Sequence, residues 1–209
     1  MKRSAFILFF LLVTMVTPLL FDPARAETPV APVEETALFS GGCFWGVEAV
    51  FRHVRGVREA VSGYAGGSAS TATYEQVSTG TTGHAESVRV RFDPRIVSYR
   101  QLLDIFFTVA HDPTQLDRQG PDVGSQYRSV IFFITPAQQL EARSTIAKLA
   151  AARVYRSPIV TRLVPFDRFY PAEKHHQNFV AMHPESPYVM VNDLPKLDLL
   201  KKKYPYLYR

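Results

Sequence analysis

The spacing of apolar residues changes period several times along the chain, and each change marks an element. Ala85 to Phe92 alternates, with Val88, Val90 and Phe92 on one face and Arg89 and Arg91 on the other, as in a half-buried strand. Thr36 to Ser40, Val57 to Tyr64, Ser129 to Thr135 and Ile159 to Phe166 also read as strands. Phe44 to Val54 places Val47, Val50, Phe51 and Val54 on one stripe of a helix. Ser98 to Ala110 is a second helix: Ser98 and Gln101 form a capping box, and Leu102, Leu103, Phe106, Phe107 and Ala110 make its apolar face. Thr135-Pro136-Ala137-Gln138 combines a cap with a proline at the first helical position and starts a helix to about Ala152. Pro171 opens a last helix to about Met182, closed by His183-Pro184. Strands interleaved with helices in this order predict an α+β, two-layer domain: a mixed β-sheet with packed helices, of the ferredoxin-like type.

Two stretches do not fit a scaffold. Ser62 to Thr82 is rich in Gly, Ser and Thr, and Asp112 to Gln126 holds few large apolar residues. Loops this long in a small domain are usually functional. Of 11 glycines, all but Gly56 fall in Gly41–Gly46, Gly63–Gly83 or Gly120–Gly124. Glycine serves where backbone turns sharply or lets a neighbour approach, so these segments are expected to converge on one site.

The first residues read as an address. Lys2 and Arg3 precede the apolar run Ala5 to Phe21, and Ala24-Arg25-Ala26 has the small-x-small form of a cleavage site. The expected organisation is a secretory signal over 1–26, a Pro- and Val-rich linker over 27–34, and one domain over 35–209. The expected location is secreted, in the periplasm, with membrane attachment only if the signal stays uncleaved. The net charge of +5 includes +2 from the first 26 residues, and no basic stripe with interleaved aromatics follows, so nucleic acid is not an expected partner. A monomer is expected.

There is one cysteine among 209 residues, Cys43. A dithiol, a zinc knuckle and an intramolecular disulfide are thereby excluded within this sequence. Its place between a strand and a helix start puts the sulfur against free backbone N–H groups, which favours the thiolate and a pKa below about 8.5. An inert, buried thiol is the competing reading. No metal site is expected: His84, His111, His175, His176 and His183 lack HxxxH spacing, adjacent histidines on a helix point apart, and surface or capping roles are expected for them. Three functions stay open on these grounds: thiol redox chemistry, a cysteine hydrolase with His84 as base if it points at Cys43, and a secreted binding module with an inert thiol.

The string Gly41-Gly42-Cys43-Phe44-Trp45-Gly46 resembles the GCFWG signature of the peptide methionine sulfoxide reductase A family. Ser62-Gly63-Tyr64-Ala65-Gly66-Gly67, Tyr74-Glu75-Gln76-Val77 and Thr82-Gly83-His84-Ala85-Glu86 are similar to its SGYAGG, YxxV and TGHAE segments. His111-Asp112-Pro113-Thr114 and the run Arg118 to Ser129 resemble its HDPT and RQGxDxGxQYRS segments, and Phe169 to Gln177 its later AExxHQ region. The resemblance spans about Leu38 to Val180. It implies reduction of methionine S-sulfoxide, free or in proteins, to methionine. Cys43 would attack, Glu86 would act as the acid, Tyr74 and Tyr127 would hydrogen-bond the oxygen, Asp122 would orient that network, and Phe44 and Trp45 would hold the methyl and sulfur. The product on the protein would be a Cys43 sulfenic acid.

Many relatives carry further cysteines that resolve the sulfenic acid as a disulfide. Here the residues after Met190 hold none. The implied cycle therefore binds no cofactor and uses an external thiol, a thioredoxin-like protein or a small thiol, with oxidised proteins or peptides as substrate partners.

Overall fold

The computed structural model describes Val33 to Arg209; the proposed signal over 1–26 and most of the linker lie outside the described residues. The first half builds the scaffold: β1 (Glu35–Ser40), α1 (Phe44–Arg52), β2 (Val57–Ala65), α2 (Tyr74–Val77), β3 (Ala85–Phe92) and α3 (Tyr99–Ile105), which continues as a π-helical turn over Phe106–Ala110. The second half adds β4 (Arg118–Gln119), β5 (Asp122–Val123), β6 (Val130–Phe133), α4 (Pro136–Ala151), β7 (Arg162–Pro165), β8 (Phe169–Pro171), α5 (Phe179–Met182), α6 (Pro187–Asn192) and α7 (Leu194–Lys203).

Six strands form one mixed sheet in the order β7-β6-β1-β3-β2-β8. The inner four, β6-β1-β3-β2, are antiparallel and carry a βαββαβ connectivity, while β6 and β7 pair in parallel. Alternation along the strands divides the residues between two faces. Ala37 and Phe39 of β1 and Val88, Val90 and Phe92 of β3 join the main core with Val47, Val50, Phe51, Leu102 and Phe106 from α1 and α3. Phe39 anchors it, its ring stacked at 5.0 Å on Phe51 and 4.9 Å on Phe106. On the reverse face Leu38, Ala65, Val130 and Phe132 form a smaller cluster. There Arg91 pairs with Glu34 and Glu59, and the Arg89 guanidinium lies 5.1 Å from the centre of the Phe169 ring.

The Ser98 capping box is present, with Gln101 N–H donating to Ser98 Oγ at 3.2 Å and Ser98 N–H to Gln101 Oε1 at 2.9 Å. The helix expected from Pro171 to Met182 is not formed. Phe169–Pro171 instead adds β8 to the edge of β2, with Tyr64 opposite Tyr170. The following residues make one 3-10 turn (Lys174–His176) and the short α5, separated by Asn178 at φ 56. Side chains hold this path. Gln177 accepts from Ser62 N–H at 3.0 Å and donates to Ser62 O at 2.9 Å, and the Glu48 carboxylate accepts from Asn178 N–H at 3.0 Å. A continuous helix would forfeit those bonds. At the other end of the chain, Arg55 N–H donates to Leu207 O and Arg209 N–H to His53 O, so the last residues lie along the C-terminal end of α1.

Candidate active site

The N-terminal end of α1 is the centre of the site, and Cys43 is its N-cap residue. Two glycines let other elements close on it. Gly42 has φ +93, and a Cβ there would meet the Gln119 side chain at 2.5 Å. A Cβ on Gly46 would sit 2.1 Å from Asp193 Oδ1 and 2.5 Å from Lys196 Nζ. Gln119 is fixed in turn, its amide bonding Asp112 N–H at 3.2 Å and Asp112 O at 3.0 Å.

All seven residues singled out in the sequence, Cys43, Phe44, Trp45, Tyr74, Glu86, Asp122 and Tyr127, line one pocket of about 220 Å³. They come from the start of α1, from α2, β3 and β5, and from the 3-10 turn Ser125–Tyr127, so the three glycine-bearing segments do converge. Phe44 is buried against Tyr64 and His176, with ring centres 5.8 and 5.3 Å away. Trp45 stacks on Phe179 at 3.7 Å, and its Nε1–H donates to His176 Nδ1 at 3.2 Å. Tyr74 stands at the rim, 37% exposed, with its backbone N–H on Glu173 Oε1 at 2.9 Å and its ring 4.4 Å from His176. Glu173 also accepts from Tyr64 Oη at 2.8 Å.

Glu86 is almost fully buried, and its Oε2 accepts from Phe44 N–H at 3.0 Å. Burial pushes its pKa up to about 8, against the pull of that N–H, with the Asp122 charge adding to the rise. At neutral pH the group is mostly a carboxylic acid, with one oxygen held by backbone and the other able to carry a proton. The expectation for Cys43 needs correction. Burial, then the Glu86 and Asp193 carboxylates, hold its pKa well above the usual thiol value, while the Trp45 backbone N–H and the Lys196 ammonium pull it down. The helix start does favour the thiolate, but at 9% exposure desolvation is the larger effect. Protonating Glu86 removes one of the two charges opposing the thiolate, so the pair favours one negative charge shared between them.

Some functional neighbours were missed from sequence. Tyr188, on α6, lines the same pocket and donates to Asp122 Oδ2 at 2.5 Å; burial, then Cys43, raise its pKa. Asp193, fully buried, pairs with Lys196 at 3.2 Å beside Gly46. The only signal for them was Ser186-Pro187, a helix start with proline at the first position.

The histidines depart from expectation in part: His111 and His183 do take the expected capping place, as C-cap residues of the Phe106–Ala110 turn and of α5. His84, His111 and His176 are buried rather than at the surface, and His175 and His176 do not point apart, their ring centres being 4.1 Å from each other in a 3-10 turn. His84 accepts from Gly67 N–H at 3.2 Å and donates to Ser68 O at 2.9 Å, so both ring nitrogens brace the loop after β2 and neither is left to serve as a base toward Cys43. His111 bridges Phe106 O and Ser129 Oγ at 2.9 and 2.7 Å, and burial lowers its pKa to about 4.

The family model described as peptide methionine sulfoxide reductase matches residues 35–206. A peptide methionine sulfoxide reductase MsrA 2 of Mesorhizobium japonicum is 54% identical over 182 residues, which is 87% of this chain and 93% of that protein. Among solved structures, reduced Mxr1 of Saccharomyces cerevisiae matches with TM-score 0.68 at 32% identity, covering 73% of this chain and 87% of its own; Mxr1 is also solved in complex with Trx2. Methionine sulfoxide reductase A of Corynebacterium diphtheriae matches with TM-score 0.64 at 36% identity, covering 74% and 77%.

Proposed function

The chain belongs to the peptide methionine sulfoxide reductase family and reduces methionine sulfoxide to methionine, and from that premise we propose that Cys43 is the residue that takes the oxygen, acting on the S-epimer, free or in proteins. The observation that carries this is the shared pocket: the one thiol, a protonated carboxyl group and three tyrosines face the same space beside Phe44 and Trp45.

A sulfoxide sulfur is a weak electrophile until its oxygen is protonated or strongly hydrogen-bonded. Glu86 supplies that proton, and Tyr74 and Tyr127 donate to the oxygen as charge develops on it. The Asp122–Tyr188 hydrogen bond fixes the far wall. Aromatic faces at Phe44 and Trp45 suit a methylsulfur group and exclude water around it. In balance, the Cys43 thiol and the sulfoxide give methionine and a Cys43 sulfenic acid: the methionine sulfur loses oxygen and gains two electrons, and the Cys43 sulfur supplies them.

Regeneration needs two electrons from outside. The sequence holds one cysteine, Cys43, so it supplies no second thiol to resolve the sulfenic acid. An external thiol therefore reduces the sulfenic acid through a mixed disulfide, and the complex of Mxr1 with Trx2 makes a thioredoxin-like protein one natural donor class. Residues 1–26 are proposed as a cleaved export signal, which places the enzyme in the periplasm, repairing oxidised methionines there. Separate S- and R-sulfoxide peptides, assayed with dithiothreitol, test the reading. Turnover of the S-epimer alone is expected; equal turnover of both would refute the assigned stereochemistry, and none with either would refute the site.

A further inference from the structure

We propose that His176 is the positioning residue for Trp45: as the acceptor for the indole N–H, it fixes the aromatic wall against which the methyl and sulfur of the substrate pack. The inference rests on the reading of Trp45 as that wall.

His176 stands behind the pocket rather than in its lining, and it touches three of the residues that do line it. Its ring centre is 4.4 Å from that of Tyr74, 5.3 Å from Phe44 and 5.8 Å from Trp45. The polar link among these contacts is Trp45 Nε1–H donating to His176 Nδ1 at 3.2 Å. An indole N–H can only donate, so Nδ1 is the unprotonated nitrogen and the proton of the neutral ring sits on Nε2. Glu173 favours the same tautomer, because its Oε2 lies 4.0 Å from Nε2. That is too long for a hydrogen bond, and both Glu173 oxygens are taken, by Tyr74 N–H at 2.9 Å and by Tyr64 Oη at 2.8 Å. The carboxylate therefore orients the imidazole through its charge. Nε2 is buried with no hydrogen-bond partner among the described residues. An apolar side chain would fill a position chosen for packing alone at less cost.

The support under the ring is firm. His176 ends a 3-10 turn, and the next two residues are pinned, Gln177 to both backbone groups of Ser62 and Asn178 to the Glu48 carboxylate. Phe179 stacks on the indole at 3.7 Å. A stacked face resists tilting more than sliding in its own plane, and a directional hydrogen bond stops the sliding.

The role depends on a neutral ring, since an imidazolium has no acceptor to offer the indole. Burial, then His175, hold the pKa of His176 below its ordinary value, against the pull of Glu173. From the elements packed against it, α1 presents Phe44 and Trp45, which do not titrate. Tyr74 of α2, and Tyr64 of β2 through Glu173, have raised pKa values and stay neutral at acid pH. The ring is thus neutral at pH 7 and releases the indole only as pH falls.

Trp45 is the chain's one tryptophan, so its fluorescence reports the contact directly. The half-saturating S-sulfoxide concentration and the limiting rate of the first turnover, measured without reductant, separate binding from chemistry. His176→Leu keeps bulk and loses the acceptor, whereas His176→Asn puts a carbonyl oxygen near the place of Nδ1 and cannot be protonated. At pH 7 the Leu variant should need about tenfold more sulfoxide, with a limiting rate within about twofold of wild type, and the Asn variant should recover tight binding. In a Trp45→Phe background, which lacks the donor, His176→Leu should change little. Between pH 7 and pH 5 the wild type should show quenched Trp45 emission and weaker sulfoxide binding, because an imidazolium quenches indole far more than a neutral ring. His176→Asn should show neither, and His175→Gln should show both. Unchanged binding in His176→Leu, the same loss with or without Trp45, or an acid quench that survives in His176→Asn would each overturn the proposal. A Trp45→Ala variant that binds the sulfoxide as tightly as wild type would instead defeat the reading of Trp45 on which it rests.

Discussion

Replacing Glu86 by Gln should make the protein slower and, at alkaline pH, more stable, and the two effects share one cause. The Gln carbonyl can still accept the Phe44 N–H that Glu86 takes at 3.0 Å, so the helix start keeps its partner. The proton for the sulfoxide oxygen is lost, which should lower the first-turnover rate by about 10² to 10⁴, or about 3–5 kcal/mol in the barrier. The stability effect follows from a carboxyl group whose pKa rises from 4.5 to about 8 on folding. A pKa raised in the folded state stabilises fully below the unfolded value and loses that contribution as pH climbs toward 8. Across that window wild-type stability should fall by up to about 1.4 kcal/mol per pH unit from this group, approaching about 5 kcal/mol in all. Glu48 and Asp193 are also raised by burial and add to the same slope, so the difference between variant and wild type isolates Glu86. Urea unfolding at several pH values from 5 to 8.5, with rapid-quench methionine formation at pH 7, measures both. A near-normal first turnover would move the acid elsewhere, and an unchanged pH slope would show that Glu86 is not held neutral.

Other expectations are structural or kinetic. Gly46→Ala forces a Cβ to within 2.1 Å of Asp193 Oδ1 and should cost about 1–3 kcal/mol in urea unfolding as α6 and α7 shift; an unchanged midpoint would contradict the tight approach of that pair. Tyr188→Phe removes the donor to Asp122 and should cost about 1.5–3 kcal/mol; stability equal to wild type would deny that hydrogen bond its role. Export with cleavage after Ala26 should give a mature protein starting at Glu27 by intact mass, and a mass that includes Met1 would refute the signal.

The inner sheet was legible because β3 alternates against a buried face and the other inner strands are short, mostly apolar runs between turn residues. Val88, Val90 and Phe92 face the helices and Arg89 and Arg91 do not, as the pattern required. The edge was not legible. Three residues, Phe169–Pro171, are too few for periodicity, and Pro171 imitates the first position of a helix, while the pairing that decides the matter comes from Ser62 and Gln177, 115 positions apart. The helix after Ser98 was right in place and in its end at Ala110, but not in its winding, which widens to a π-helical turn over Phe106–Ala110 where His111 is tied to Phe106 O. The seven candidate site residues were legible through the family's motifs, not through spacing. Tyr188, Asp193 and Lys196 sit beyond those motifs, and the only local mark, the helix start at Ser186-Pro187, says nothing of the site: their position beside Cys43 is a product of how α6 and α7 pack on α1. Local sequence also misjudged the Cys43 thiol, since a helix start is visible in sequence and the burial that outweighs it is not.

In the proposed mechanism one sulfur atom, that of Cys43, takes the whole oxygen transfer. Mass spectrometry of the protein after a single exposure to the S-sulfoxide, with no reductant present, tests this most directly. One methionine should form per chain, with one oxygen or its dimedone adduct found on Cys43, and neither should form in Cys43→Ser. Methionine release from Cys43→Ser, or a stoichiometric burst that leaves Cys43 unmodified, would contradict it.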